Sequence, residues 1–161
     1  MMIYIVRHAW AGDHDPDRWP DDRQRPLTTE GCQRFRKVAK ALVKRGFEPA
    51  RIATSPLVRC RQTADILIDE LSKRTTLVEL DALAPGSNLK AAMEWTREKP
   101  DGDVAWVGHA PDVEDLTAAL IGQPDASIRF AKGATAAVRI DNLAAGRGEL
   151  EWLVTAKLLG I

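Results

Sequence analysis

The chain has 161 residues, which suits one folded domain and is long enough to bury a core without disulfides or a metal. Its 23 basic and 23 acidic side chains cancel, which excludes a general electrostatic attraction to nucleic acid or to an anionic membrane surface. We therefore expect a single domain over residues 1–161, in which any affinity for phosphate is confined to a local site.

The cysteines and the first apolar run bear on the cellular compartment in which the protein is expected. Cys32 and Cys60 have neither CxxC nor zinc-ligand spacing and fall in predicted helices, so we expect buried, reduced thiols. The apolar run at 3–10 has no basic segment before it and is shorter than a signal peptide requires, and no stretch is long enough to span a membrane. The protein is therefore expected to be cytoplasmic, and no sequence feature indicates an oligomeric state.

The first predicted element is a strand in the run IYIVRHAW, residues 3–10, whose apolar residues stop at Arg7 and His8. Ligands of open α/β sheets bind outside the carboxyl ends of the strands, so a cation and an imidazole at this position indicate a site. The next segment, residues 11–26, is rich in Asp, Arg and Pro and has no apolar period. Its place directly after the strand favours a rim or lid over the site rather than a plain surface loop.

Two helices flank the second predicted strand. A threonine at 28–29 caps the first helix, one face of which is apolar at helical spacing (Phe35, Val38, Ala39, Leu42). A short strand at 51–54 leads to Ser55 and Pro56, the expected N-cap and first residue of the second helix. Arg59 is then in the first turn of that helix, near the end of the strand.

Strands and helices alternate through the rest of the chain. We predict strands at 77–80 and 104–107, helices at 89–97 and from Pro111 onward, and a closing hairpin of strands at 134–140 and 149–155. The strand at 104–107 is followed by His109, and the positive end of the next helix points at the same crevice. This alternation favours a three-layer α/β/α sandwich with a mostly parallel central sheet.

Four short motifs occur in order along the chain: RH at 7–8, RPLTTEG at 25–31, SPLVRCRQTA at 55–64 and GH at 108–109. In this combination the chain resembles the histidine phosphatase superfamily. Within it, the chain is most similar to the SixA-type phosphohistidine phosphatases, which lack the large helical insert of the phosphoglycerate mutases. The resemblance spans nearly the whole chain and implies a phosphoglycerate mutase-like fold without that insert.

The resemblance also implies roles for four residues: His8 is the nucleophile, and Arg7, Arg59 and His109 form the phosphate pocket. The chemistry of the side chains agrees. A neutral imidazole is a nucleophile toward phosphorus, and the like charge of two guanidinium groups lowers the pKa of the imidazole between them. Guanidinium groups also bind phosphate in a bidentate manner. His109, if protonated, adds a third cationic donor.

The chain departs from the superfamily pattern at two places. Many members have a carboxylate, usually Glu, after the third strand as general acid, and the nearest candidates here are Asp81 and Glu79. We favour Asp81. Some members also have an Asn six residues after the nucleophile, where this chain has His14. His14 either contacts phosphate or is solvated, and we favour the solvated position.

Other phosphatase chemistries are disfavoured by spacing and charge. Neither Cys32 nor Cys60 is followed six residues later by the arginine that cysteine-based phosphatases require. A metal hydrolase could use His8, His14 and His109, but Arg7 would repel a divalent cation. We therefore expect no metal and no other cofactor.

Three functions stay open. The first is a phosphohistidine phosphatase whose partner is a phosphorylated protein of the histidine-containing phosphotransfer type, and the second is a phosphomonoesterase acting on a small phosphorylated molecule. The third, a noncatalytic phosphate-binding module, is disfavoured because both histidines and both arginines are present. A site without a helical insert is open enough for a protein side chain, which favours the first function.

Overall fold

The computed structural model describes residues 1–98, 101–141 and 144–161. Its strands are β1 (Met2–Arg7), β2 (Arg51–Thr54), β3 (Thr76–Glu79), β4 (Val104–Gly108), β5 (Thr135–Arg139) and β6 (Glu149–Val154). Its helices are α1 (Thr29–Val43), α2 (Val58–Glu70), α3 (Leu89–Glu98) and α4 (Asp112–Leu120), with short 3₁₀ turns at Asp22–Gln24 and Asp81–Leu83. The predicted strands and helices are present, with small shifts at their ends.

The strands form one six-stranded sheet in the order β3-β2-β4-β1-β5-β6. The first four are mutually parallel, β5 is antiparallel to β1, and β6 is antiparallel to β5. The expected mostly parallel sheet with a closing hairpin is thus confirmed, although the turn predicted between β5 and β6 includes residues 142–143, which lie outside the described residues. In the register, Arg7 is opposite Gly108 and Thr54 is opposite Val107, so the carboxyl ends of β1, β2 and β4 are level with one another.

Helices cover both faces of the sheet, which confirms the three-layer sandwich. Along β1, Tyr4 and Val6 belong to the core shared with α1 and α2, whereas Ile3 and Ile5 belong to the core shared with α3 and α4. This alternation explains why β1 and β4 read as continuous apolar runs, since strands buried on both faces have no polar side. No helix in the described ranges is long and apolar enough to cross a bilayer.

The start of α1 is packed tightly against the chain that leaves β1. Thr28 is the N-cap, and its hydroxyl accepts a hydrogen bond of 2.9 Å from the N–H of Gly31. A Cβ atom on Gly31 would lie 2.1 Å from the carbonyl oxygen of Trp10, so only glycine fits there. A bridge between Ala11 and Leu27 also joins the two ends of the 11–26 segment. Both ends of that loop are therefore held near His8.

The start of α2 differs from the prediction. The N–H of Ser55 donates to the carbonyl of Val107 at 2.8 Å, which extends the pairing of β2 with β4 by one residue. The chain therefore turns into the helix only at Val58, with Leu57 at the N-cap position and no side-chain cap. Arg59 still lies in the first turn, as expected.

The two cysteines have different environments. Cys60 is buried in α2, and burial raises its pKa to about 12. Cys32 is only half-buried, because it lies at the edge of the apolar face of α1. The prediction of buried thiols is therefore correct for Cys60 and wrong for Cys32. Both thiols are free.

Candidate active site

The carboxyl ends of β1 and β4 bring three of the expected site residues together. Arg7 ends β1 and is paired in register with Gly108 of β4, and the N–H of His8 donates to the carbonyl of Gly108 at 2.9 Å. His109 directly follows Gly108. Arg7 and His8, which end β1, are thus brought next to His109, which follows β4 about a hundred residues later in the chain.

The fourth residue, Arg59, reaches the same place from the first turn of α2. Its guanidinium is buried, with 6% of the side chain exposed. The positive charges of Arg59 and Arg7 both act on the imidazoles of His8 and His109. The structure therefore groups the four side chains that the sequence placed at strand ends.

His8 is buried and electrically neutral. Burial is the main reason that its pKa falls from 6.5 to about 3, and the charges of Arg59 and Arg7 lower it further. The sequence predicted the lowered pKa from the charges alone, and burial proves to be the larger cause. Nδ1 lies 2.7 Å from the carbonyl oxygen of Ala9. A carbonyl can only accept, so Nδ1 has the proton and Nε2 keeps the lone pair of a nucleophile.

Both arginines have buried N–H groups without a protein acceptor. Arg7 donates through Nη1 to the carbonyl of Phe130, and Arg59 donates through Nη1 to the carbonyl of Asp22 at 2.8 Å. The Nε atoms of both arginines are buried and have no hydrogen-bond partner among the described residues. A buried donor without a partner is costly, so a site of this kind favours an oxyanion that accepts from it.

His109 contacts a carboxylate that the sequence reading overlooked. Its Nδ1 lies 3.1 Å from Oδ2 of Asp112, at the start of α4. Burial lowers the pKa of His109, the charge of Asp112 raises it, and the arginines Arg59 and Arg7 lower it. Free of ligand, His109 is therefore neutral near pH 7, and a bound anion would favour a proton on the ring. The H-x-x-D spacing at the start of a predicted helix was the available signal for Asp112.

Asp22, in the 11–26 loop, is the other carboxylate that the sequence reading did not find. Its Oδ2 lies 3.1 Å from Nη2 of Arg59, and its Oδ1 lies 2.7 Å from Nε of Arg25. Hydrogen bonds from Arg25 and His14 and the charge of Arg59 hold the pKa of Asp22 well below its usual range. The loop therefore borders the site and places an anion against Arg59. Nothing in the sequence distinguishes Asp22 from the other aspartates of the loop.

His14 lies on the outer side of the same contact. Its side chain is 65% exposed, and Nδ1 lies 3.1 Å from Oδ1 of Asp22. The structure thus gives His14 a carboxylate partner and leaves most of the ring in solvent, close to the expectation of a solvated residue.

The two candidates for the general acid make no hydrogen bond or ion pair with the four grouped residues in the described part of the chain. Glu79 ends β3, is exposed, and is paired with Arg61 at 3.2 Å. Asp81 begins the following 3₁₀ turn, is exposed, and has no side-chain hydrogen bond or ion pair within the described ranges. Strand β3 lies at one edge of the sheet, separated from β1 by β2 and β4. The structure does not join either carboxylate to the four grouped residues.

Comparisons with known proteins agree with this geometry. Residues 3–84 match the sequence model of the histidine phosphatase superfamily (branch 1). The chain is 30% identical over 155 residues to the phosphohistidine phosphatase SixA of Escherichia coli (strain K12), covering 94% of this chain and 92% of that protein. It is 37% identical over 124 residues to an uncharacterized protein of Picosynechococcus sp., covering 74% and 73% of the two chains.

The fold comparison extends over the whole chain. A solved structure of the protein histidine phosphatase SixA complexed with tungstate superposes with a TM-score of 0.85, at 29% identity, and 99% of each chain is covered. The sequence match and the fold match thus agree with the four motifs. The chain belongs to the histidine phosphatase superfamily, branch 1, and is a phosphatase of the SixA type.

Proposed function

We propose that this phosphatase removes the phosphoryl group from phosphohistidine in a protein, by way of a phosphoenzyme on His8. The observation that supports this proposal best is the state of His8, a buried imidazole with its proton on Nδ1 and its lone pair on Nε2, between Arg7 and Arg59. A buried neutral nucleophile beside two phosphate-binding cations is what transfer to a histidine requires.

Binding of the phosphoryl group uses the donors that the protein leaves without a partner. Arg7 and Arg59 offer their buried Nε atoms, and His109 offers an imidazole whose protonated form a bound anion would favour. The SixA structure that shares this fold was solved with tungstate, a tetrahedral oxyanion like phosphate. The same groups stabilise the charge on the transferring group.

The first chemical step is attack of His8 Nε2 on phosphorus. A P–N bond to His8 forms while the P–N bond of the substrate breaks, and the bonding electron pair leaves with the substrate imidazole. The carbonyl of Ala9 accepts from Nδ1–H and stabilises the positive charge that develops on the His8 ring. In the second step water attacks phosphorus, and a P–O bond forms while the P–N bond to His8 breaks. The bonding electron pair returns to Nε2, so His8 becomes neutral again, and phosphate and a proton from the water are released.

The leaving group explains why phosphohistidine is the favoured substrate. An alcohol leaving group has a pKa of roughly 15, similar to that of water, and needs a proton donor. Imidazole protonated on its other nitrogen leaves as a neutral molecule whose conjugate acid has a pKa of about 6.5. No contact among the described residues joins Asp81 or Glu79 to the grouped residues, and Asp22 is held as an anion by Arg25. A site without a placed carboxylic acid suits cleavage of a P–N bond. The role of Asp81 as general acid stays a prediction.

A phosphomonoesterase acting on a small molecule is the second candidate. It would take its proton from His109, the imidazole whose pKa Asp112 raises. Such an enzyme would have to protonate an alkoxide from a ring that burial keeps neutral in the free protein, which makes this the less favoured chemistry. No cofactor enters either reaction.

A substrate panel tests the proposal. The panel compares a phosphohistidine peptide, a phosphoserine peptide of the same sequence, and a sugar phosphate. We expect kcat/KM for the phosphohistidine peptide to exceed that for both esters by about a hundredfold or more, the effect of about 3 kcal/mol of leaving-group assistance. Efficient turnover of the sugar phosphate with slow turnover of phosphohistidine would replace this proposal with the phosphomonoesterase.

A further inference from the structure

A basic groove opens beside the phosphate pocket. It is a cavity of about 630 Å³, to which Arg7 contributes on the side of the site. Half of its ten lining residues are basic and none is acidic; the basic ones are Arg7, Arg34, Arg129, Lys132 and Lys157. Because the whole chain has no net charge, this concentration is a local feature of one surface.

Three of the five cations of the basic groove have no ion-pair partner among the described residues. Arg129, Lys132 and Lys157 form no ion pair with any described residue, whereas Arg36 and Arg139 elsewhere on the surface are each held by two carboxylates. Lys132 is also half-buried, and no described carboxylate is paired with it. Charges of one sign that repel one another and have no partner among the residues that the structure describes indicate a ligand of the opposite sign.

One wall of the basic groove is held in place. Arg34 lies over the ring of Trp10 at 4.2 Å and donates to the carbonyl oxygen of Ile161 at 3.0 Å. Stacking on an aromatic ring limits the freedom of a guanidinium and leaves its other donors available. The groove is therefore partly preorganised for an anionic ligand.

The basic groove is continuous with the proposed catalytic residues. The carbonyl of Phe130 accepts from Arg7 Nη1, and the N–H of Gly133 donates to the carbonyl of His8 at 3.0 Å. These two contacts fix the segment that bears Arg129 and Lys132 to the end of β1. A substrate whose phosphoryl group is at His8 therefore has the basic groove next to it.

We propose that the basic groove binds an acidic segment of the phosphorylated protein, adjacent in that protein to the phosphohistidine. This inference rests on the proposed function and specifies its substrate class. Trp10, Phe130, Ala131, Thr155 and Ala156 also line the groove, and a groove with this share of uncharged residues suits the stems and backbone of a peptide better than a compact second phosphate. Opposite charge at the rim of an interface speeds association and selects the partner.

Substitutions of Lys132 and Lys157 test the basic groove more selectively than a substitution of Arg129. Arg129 also lines a neighbouring hollow that contains Glu114, Asp115 and Asp125, so acidic groups face it on its other side. Lys132 and Lys157 line the basic groove alone among the described cavities. The test variant is therefore Lys132→Glu with Lys157→Glu.

The matched control changes two other lysines. Lys44 follows α1 and Lys73 precedes β3, so both lie at the amino edge of the sheet, opposite the site. Lys44→Glu with Lys73→Glu makes the same change in net charge far from the groove. Any effect of total charge is thereby separated from an effect of the groove.

The experiment measures kcat/KM for two phosphohistidine peptides that differ only in flanking residues, glutamates in one and glutamines in the other. Phosphoimidazole serves as a small substrate that cannot reach the groove. We expect the wild-type protein to prefer the glutamate peptide by about tenfold at low ionic strength and less at high ionic strength, because surface charge pairs are weak individually and screened by salt. The groove variant should lose this preference through KM while turnover of phosphoimidazole is unchanged. The control variant should behave as wild type.

Direct binding separates this inference from the proposed function. The same two peptides without phosphate are titrated onto the wild-type protein and both variants, and binding is followed by fluorescence anisotropy. The inference is supported if the wild-type protein binds the glutamate peptide more strongly than the glutamine peptide, and if only the groove variant loses this difference. This result would support the docking surface even if no phosphohistidine peptide is hydrolysed and the proposed function fails. Equal binding and equal kcat/KM for the two peptides, or equal losses in groove and control variants, would overturn the inference.

Discussion

Oδ2 of Asp112 lies 3.1 Å from Nδ1 of His109, three residues earlier in the chain. The same carboxylate accepts the N–H of Gly86 at 3.1 Å, so it joins His109 to the loop after β3. Its charge raises the pKa of His109 against the burial that lowers it. Asp112 therefore favours the protonated form of His109, the form that donates to phosphate in the proposed reaction.

Replacing Asp112 should change the pH dependence of catalysis. Asp112→Asn keeps the size of the side chain but removes the charge, so the pKa of His109 should fall further. In the proposed reaction phosphate binding uses the protonated ring. On the basic side of the pH profile, kcat/KM of the variant should therefore begin to decline at a lower pH than kcat/KM of wild type. Near neutral pH, kcat/KM should fall about tenfold for every tenfold decrease in the proton affinity of the ring. The measurement is a pH profile of kcat/KM with an NMR titration of His109.

The control for this change is Asp115→Asn, an exposed substitution in the same helical turn, which should leave the pH profile as in wild type. A uniform loss of kcat/KM in Asp112→Asn, with no displacement of the profile along the pH axis, would indicate that Asp112 only supports the loop.

The nucleophile can be identified by trapping. A reaction with labelled substrate, quenched rapidly, should leave an acid-labile and base-stable label on His8, since a phosphoramidate bond has this stability. His8→Ala should take up no label while its circular dichroism stays that of the folded protein. His14→Gln, which changes the exposed histidine of the rim, should be labelled as wild type. Label on another residue would contradict the mechanism.

The phosphate donors and the acidic candidates should differ strongly in effect. Arg7→Ala, Arg59→Ala and His109→Ala should each lower kcat/KM for phosphohistidine about a hundredfold, on the order of 3 kcal/mol for a lost transition-state donor. Asp81→Asn and Glu79→Gln should each have a modest effect of less than about threefold, because neither is joined to the grouped residues. Steady-state kinetics on the five purified variants decides this. A severe loss of kcat/KM in either carboxylate variant would instead support a general acid in the segment after β3.

Asp22 should weaken the affinity of the site for anions. Its carboxylate lies 3.1 Å from Arg59, but its backbone carbonyl also accepts from Arg59 at 2.8 Å. Asp22→Asn therefore keeps the arginine in place while removing a negative charge from the pocket. Inorganic phosphate should then inhibit about threefold to tenfold more tightly, as expected for one partly exposed charge. Asp21→Asn, whose carboxylate caps the N–H of Arg23, is the control. Weaker inhibition in Asp22→Asn would show that the carboxylate is needed to orient Arg59.

The buried neutral state of His8 should also make stability depend on pH. The pKa of His8 is about 3 in the folded protein and 6.5 for an exposed imidazole, so below about pH 6.5 the unfolded chain binds a proton that the native protein does not. The free energy of unfolding contributed by this residue therefore decreases as the pH falls toward 3. Between about pH 7.5 and about pH 5, wild type should lose about 2 kcal/mol relative to His8→Gln. Urea denaturation at the two pH values measures this difference, and parallel losses in both proteins would show that His8 is not buried as described.

Much of the architecture was predictable from local patterns. The order of strands and helices followed from the period of the apolar residues, and the mostly parallel sheet followed from their alternation. The start of α2 was missed because the pairing of Ser55 with Val107 is a contact between distant strands that no local rule describes. The exposure of Cys32 was missed for a similar reason, since its position at the edge of a helical face depends on where α1 packs.

The sequence by itself determined that Arg7, His8, Arg59 and His109 would follow strands, because polar residues at the ends of apolar runs are a local signal, and it indicated the family through its motifs. Only the tertiary structure decided which carboxylates meet them. Asp22 reaches Arg59 because the ends of a long loop are held beside β1, and long-range packing of that kind has no periodic signature. The tautomer of His8 was decided by the backbone conformation that places Nδ1 against the carbonyl of Ala9. The extent to which its pKa is lowered was decided mainly by burial, which depends on the layers of the fold rather than on neighbouring residues in the chain.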